Sequence, residues 1–178
     1  MFVYTFLKTP PANTLPAELS RLKPAPAEHI HVKSKSKCLP TTQTKTRKLI
    51  LDHLEDAKNR FVWLRGSPGT GKTAIAMSVA STLKMQGTLA ASFFWDKNQT
   101  GLGLDSTKQF PSTLAHQLAR FNEDFKMSLV RCLRQPDLEF VQDLPLDKQM
   151  ESLVLEPMYN LTVVLPGRPV IVLDGLDE

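Results

Sequence analysis

One run of eight residues constrains this chain more than any other: Gly66-Ser67-Pro68-Gly69-Thr70-Gly71-Lys72-Thr73 matches G-x-x-x-x-G-K-[ST] in full. Each position has a physical task. The glycines let the backbone curl so that successive N–H groups converge as an anion nest, which a Cβ would obstruct. A helix beginning just beyond Gly71 adds its N-terminal partial positive charge at the same point. Lys72 is expected to reach the β- and γ-phosphates of a nucleoside triphosphate as a mobile point charge, and the Thr73 hydroxyl to ligate Mg²⁺. The expected cofactors are therefore ATP or GTP with Mg²⁺. The motif does not choose between the bases, whose contacts come from outside the phosphate loop.

The flanking residues supply the context that such a loop requires. Phe61–Leu64 (FVWL) is a short apolar run ending at Gly66, the pattern of a buried parallel strand. Beyond the loop, Ile75, Val79 and Leu83 recur on one face of a predicted helix over Thr73–Lys84, which Gly87 can close. Upstream, Leu49, Ile50, Leu51 and Leu54 predict another helix, from Thr44 to near Arg60. Downstream, Leu89–Trp95 (LAASFFW) predicts a second buried strand, and 96–105 a Gly-containing loop. Two amphipathic helices follow, one lined by Phe110, Leu114, Leu118 and Phe121, the other by Phe125, Leu129 and Leu133 and ended by Pro136. Leu146–Glu156 predicts a third, stopped by Pro157.

The last residues, Val170-Ile171-Val172-Leu173-Asp174-Gly175-Leu176-Asp177-Glu178, read as a central strand with carboxylates at its C-terminal end. Open α/β sheets bind ligands at that edge. A metal bridging two phosphates needs a carboxylate there, and hydrolysis needs a group that orients water. Asp174 is the expected Mg²⁺-side residue, acting through a water. Asp177 or Glu178 is expected to polarise the attacking water, and spacing does not choose between them.

Charge is distributed unevenly. The net charge is +4, yet Met1–Lys48 carries +7 and the remainder −3. Six prolines from Pro10 to Pro40 and few large apolar residues predict that residues 1–43 form a mostly disordered, Pro- and Lys-rich leader, with one domain over 44–178. Lys33, Lys35 and Lys37 alternate with Ser without interleaved aromatics, so no nucleic-acid partner is expected. Cys38 and Cys132 form neither a CxxC pair nor a disulfide framework. No run approaches the ~20 apolar residues that span a bilayer, so a cytoplasmic protein without a membrane partner is expected.

The remaining candidates have structural explanations. His29 and His31 lie in the expected leader without a Cys, Asp or Glu cluster to complete a metal site. His53 and His116 fall on amphipathic helices. Trp63, Phe93, Phe94 and Trp95 lie in predicted strands and are expected in the core rather than stacked on a base.

With those residues in place, a resemblance emerges. The phosphate loop with its preceding Phe61-Val62-Trp63-Leu64, the strand Ala91-Ser92-Phe93-Phe94-Trp95, the helix Thr113-Leu114-Ala115-His116-Gln117-Leu118 and the ending Leu173-Asp174-Gly175-Leu176-Asp177-Glu178 together resemble the NACHT domains of fungal NOD-like-receptor proteins. The likeness covers roughly Lys37 to Glu178. It implies an α/β fold of the P-loop NTPase type, a three-layer sandwich with a parallel sheet. That sheet is expected to be incomplete at the C-terminus, because one strand usually inserted between the phosphate-loop strand and the Asp174 strand would lie beyond Glu178. Val and Leu faces meant for it would then be exposed. The resemblance also implies an ATP-driven signalling switch that oligomerises with itself or with related NACHT proteins, hydrolysing slowly or not at all in this chain. Two alternatives remain: a non-catalytic interaction fragment that pairs with a full-length relative, and another P-loop ATPase of AAA+ type.

Overall fold

Leu89–Phe94 forms strand β1, buried along its whole length as its unbroken apolar and small sequence requires. It pairs in parallel with β2 (Val170–Asp174), Leu89 lying opposite Val170 and Phe94 opposite Asp174, with one irregularity between Leu89 and Ala91. The computed structural model describes residues 16–31, 37–39, 41–56, 58, 61–161 and 168–175. Along these run α1 (Ala17–Ser20), α2 (Thr44–Glu55), α3 (Lys72–Met85), β1, α4 (Phe110–Phe121), α5 (Glu123–Leu133), two 3-10 turns, α6 (Leu146–Met150), a π-helical stretch, α7 (Glu156–Tyr159) and β2. Helix and strand are mixed around a two-stranded parallel sheet, an arrangement compatible with the α/β class.

The sheet is packed on both faces. Ile75, Val79 and Leu83, spaced at helical period along α3, meet Val170 and Val172 on one side. On the other side Leu114 and Leu118 of α4 and Leu129 and Leu133 of α5 enclose Ala90 and Ala91. Leu129 and Leu133 are fully buried, each contributing about 2 kcal/mol of apolar burial. The loop after β1 is held by an aromatic triad, with ring centroids 4.4 Å apart for Phe93 and Trp95 and 5.2 Å for Phe93 and Phe110.

Several expectations change. Phe61–Leu64 does not join the sheet, and Phe61 and Trp63 are 77% and 75% exposed. Among the described residues no strand lies beside the β2 edge that carries the Ile171 and Leu173 peptide groups. A strand exists only where a neighbour takes its hydrogen bonds, and FVWL has none among the described residues. Trp63 is therefore not a core residue; the Arg65 guanidinium stacks on its ring at 5.2 Å. Ile171 and Leu173 are each 38% exposed, whereas Val170 and Val172, expected to lie uncovered as well, pack against α3.

Pro157 does not stop its helix. The chain widens into a π-helical stretch over Glu151–Leu155 and continues to Tyr159, which accommodates a ring that would otherwise press on the carbonyl of residue 153. Helix α2 ends at Glu55, where the Arg168 guanidinium caps its last turn by donating to the carbonyls of Leu54, at 2.9 Å, and Asp56.

Part of the stretch expected to be a disordered leader is packed. Residues 16–31 form a strap across α5, α4 and β1, with Leu19 and Ala27 fully buried and Leu22 nearly so. The strap is tied at both ends, by Glu18 to Arg134 and by Glu28 to Arg120, each at 2.8 Å. Four apolar residues spread through a Pro-rich segment carry no helix or strand period, so the packing has no signature in the pattern of the sequence. Residues 1–15 and 32–36 lie outside the described residues.

Candidate functional site

The Gly-rich run connects the extended segment before it to the first turn of α3. Gly69 and Gly71 have φ of +80° and +83°, the left-handed region that L side chains rarely adopt. Gly71 is also the N-cap of α3 and brings no side chain to cap it, so the first N–H groups of the helix are left for another acceptor. Within the loop, Thr70 Oγ1 donates to the Ser67 carbonyl at 2.8 Å. Lys72 folds back over the turn: its Nζ donates to the carbonyls of Gly66 at 2.9 Å and Ser67 at 3.2 Å. Gly66, Ser67, Pro68, Gly69 and Thr70 are exposed, while Lys72 and Thr73 are half-buried at the helix start.

The direction of α3 sets what this turn faces. Its C-terminal end turns through Gly87 into β1, beside the start of β2, where Val170 N–H donates to Thr88 O at 2.9 Å. Fourteen helical residues span about 21 Å, close to the roughly 20 Å of the six-residue β1. The N terminus of α3 is thereby carried toward the C-terminal ends of the strands, where Asp174 sits. Asp174 is fixed through its backbone, its carbonyl accepting from Trp95 N–H at 2.9 Å. Gly175 has φ +84°, and a Cβ there would stand 3.0 Å from Trp95 Cβ and 3.1 Å from Trp95 O. The glycine after Asp174 is thus required twice, by conformation and by space. Asp177 and Glu178 lie outside the described residues.

Thr73 stands in the first turn of α3 and Asp174 at the end of β2, and hydroxyl and carboxylate oxygens are hard donors of the kind that suit Mg²⁺. No group of three or more His, Cys, Asp or Glu that could hold a metal occurs among the described residues. His29 is no candidate ligand; its ring is buried, with Nδ1 3.3 Å from Ser92 Oγ. Burial holds its pKa below the ordinary imidazole value, with the positive charge of Lys37 acting in the same direction. Both cysteines are free, and burial pushes the Cys132 thiol up, away from nucleophilic reactivity. No described helix is long and apolar enough to cross a membrane.

One acidic residue escaped the sequence reasoning. Asp96, 6% exposed, follows β1 at the same sheet edge, and its Oδ1 accepts from Asn98 N–H at 3.1 Å. Its place directly after a buried aromatic strand was the available signal.

The fold and the candidate site define a mixed helix-and-strand chain with a parallel strand pair, a Gly-rich turn leading into a helix and a strand ending in Asp. The family model described as Nephrocystin 3, N-terminal matches residues 36–178, and the chain belongs to that family. No curated protein and no solved structure matches it.

Proposed function

We propose that this chain is the nucleotide-binding module of a NACHT-type signalling ATPase, with a fold of the P-loop NTPase type. In this account it binds ATP, or another nucleoside triphosphate, with Mg²⁺. The observation that carries this reading is the Lys72 ammonium folded over a loop whose glycines hold left-handed conformations at an uncapped helix N terminus. A triphosphate would draw Lys72 from the Gly66 and Ser67 carbonyls onto its β- and γ-oxygens. The N–H groups of the turn and of the first turn of α3 would cradle the phosphates. Thr73 and Asp174 would hold Mg²⁺, which supplies charge neutralisation between the phosphates. Asp177 or Glu178 is assigned to orienting water, with hydrolysis slow or absent. Membership supports the reading by extent: the matched residues 36–178 coincide with the stretch that resembles NACHT domains.

ATP titrated into the purified chain, with Mg²⁺ and then with a chelator, tests this assignment. Saturable binding that weakens when Mg²⁺ is removed is expected; a folded chain that binds no nucleotide in either condition contradicts it.

A second function, an interaction fragment that pairs with a related chain, is favoured by a different observation. Phe61, Trp63, Ile171 and Leu173 expose apolar surface, and among the described residues no strand pairs with the outer edge of β2. Nucleotide binding separates the two, because the fragment needs none.

A further inference from the structure

The C-terminal half of the strap lies on a cluster of titratable groups that the nucleotide site does not use. His29 N–H donates to Ser92 Oγ at 3.1 Å, and the ring beside it is buried against β1. Ala27 O accepts from Phe94 N–H at 3.1 Å, and Ala25 N–H donates to Thr113 Oγ1 at 2.8 Å. His116, one turn before Arg120 on α4, is half-buried, and the Glu28 carboxylate on the strap acts on its ring as it does on that of His29. Five other charged or titratable groups act on these two imidazoles. They are Glu28 and His31 on the strap, Lys37 beyond it, Lys84 at the end of α3 and Arg120 on α4. Only Glu28 is negative, and it is already paired with Arg120.

We propose that Ala25–His31 is an acid-sensitive latch, which lifts off β1 and α4 when His29 and His116 take up protons. Each added positive charge would enter a partly desolvated place, His29 facing Lys37 and Lys84 and His116 facing Arg120, with Glu28 the one carboxylate acting on both. The strap's other half is anchored independently by Leu19, Leu22 and the Glu18–Arg134 pair, so release is local. Both histidines have folded-state pKa values lowered chiefly by burial. A depressed value means that the latch's stabilisation is fully present above the free imidazole value of about 6.5 and is lost as pH falls through the folded values. Opening uncovers Trp95, which packs beside Ala25 and Ala27.

Trp95 makes the latch observable. In a Trp63→Phe background it is the sole tryptophan, buried at 7% exposure. Its emission is followed from pH 8 to pH 5, with far-UV circular dichroism alongside and Ala27→Glu as a permanently open reference. The expected result is a red shift toward the emission of the reference, with a midpoint below about 6.5 and unchanged helicity. It should be steeper than a one-proton titration and be abolished by His29→Gln with His116→Gln. Emission that stays constant to pH 5, a shift that survives the double substitution, or a shift that coincides with loss of helicity overturns the proposal. Should the double variant not fold, ring NMR of the two histidines in the unsubstituted chain decides. Titration of both below about 6.5, together with the Trp95 shift, supports the latch; titration at or above that value overturns it.

Discussion

Gln117 grips the backbone of Ser92 with both ends of its side-chain amide: Oε1 accepts from Ser92 N–H at 2.7 Å, and Nε2 donates to Ser92 O at 2.8 Å. A primary amide offers the donor and acceptor of a peptide group, so Gln117 takes the place of a neighbouring strand on the outer edge of β1. The strap completes that edge through Ala27 O and Phe94 N–H. The TLAxQL helix that contributed to the family likeness thus has a physical rationale in its polar positions. Thr113 anchors the strap and Gln117 closes the sheet.

Replacing Gln117 by Ala leaves a buried N–H and a buried C=O without partners, and is expected to cost about 3 kcal/mol in urea unfolding. Gln117→Glu keeps the acceptor but loses the donor until it is protonated. Its folded pKa is therefore raised, and the variant should gain stability as pH falls. A Gln117→Ala midpoint indistinguishable from wild type would show that the clamp contributes nothing.

Leu19→Ala removes a fully buried side chain from the strap and should destabilise the chain by about 2–5 kcal/mol. A solvated leader would give a change within about 0.5 kcal/mol, as exposed sites do. Thermal or urea unfolding distinguishes the two.

Gly175→Ala meets both the left-handed φ and the Trp95 backbone, and is expected to cost about 1–3 kcal/mol. Because Gly175 lies against Trp95, whose N–H holds the Asp174 carbonyl, the variant should also weaken Mg²⁺-dependent nucleotide binding. Unchanged stability would mean that the turn relaxes freely.

Much of this architecture was legible because burial and period agree. LAASFF and VIVLD are unbroken apolar runs, the stripes of α3, α4 and α5 each have one face to hide, and each forms the element its pattern predicts. Phe61–Leu64 fails for a reason that lies outside its own residues, since an apolar run becomes a strand only beside a partner. The strap was invisible because Leu19, Leu22, Ala25 and Ala27 are placed by the shape of the groove rather than by a repeat. At the candidate site, the turn at the loop glycines, the helix starting at Lys72 and the strand ending at Asp174 follow the motif and the apolar run. The role of Trp95 in fixing Asp174 and Gly175 was not, because it depends on sheet register.

Asp174→Asn keeps the size of the side chain and removes its charge. With Thr73 it is assigned to the metal, so the substitution should weaken ATP binding about tenfold or more in Mg²⁺, and little in chelator. Equal losses in both conditions would place Asp174 outside the metal's coordination.

The central claim is that Lys72 and its loop hold a nucleotide's phosphates, and binding of a fluorescent ATP analogue to the wild-type chain and to Lys72→Ala tests it most directly. The account predicts saturable, Mg²⁺-dependent binding to the wild type that is lost in Lys72→Ala while the circular dichroism stays the same. Full affinity retained by a folded Lys72→Ala, or no binding by the folded wild type, would contradict it.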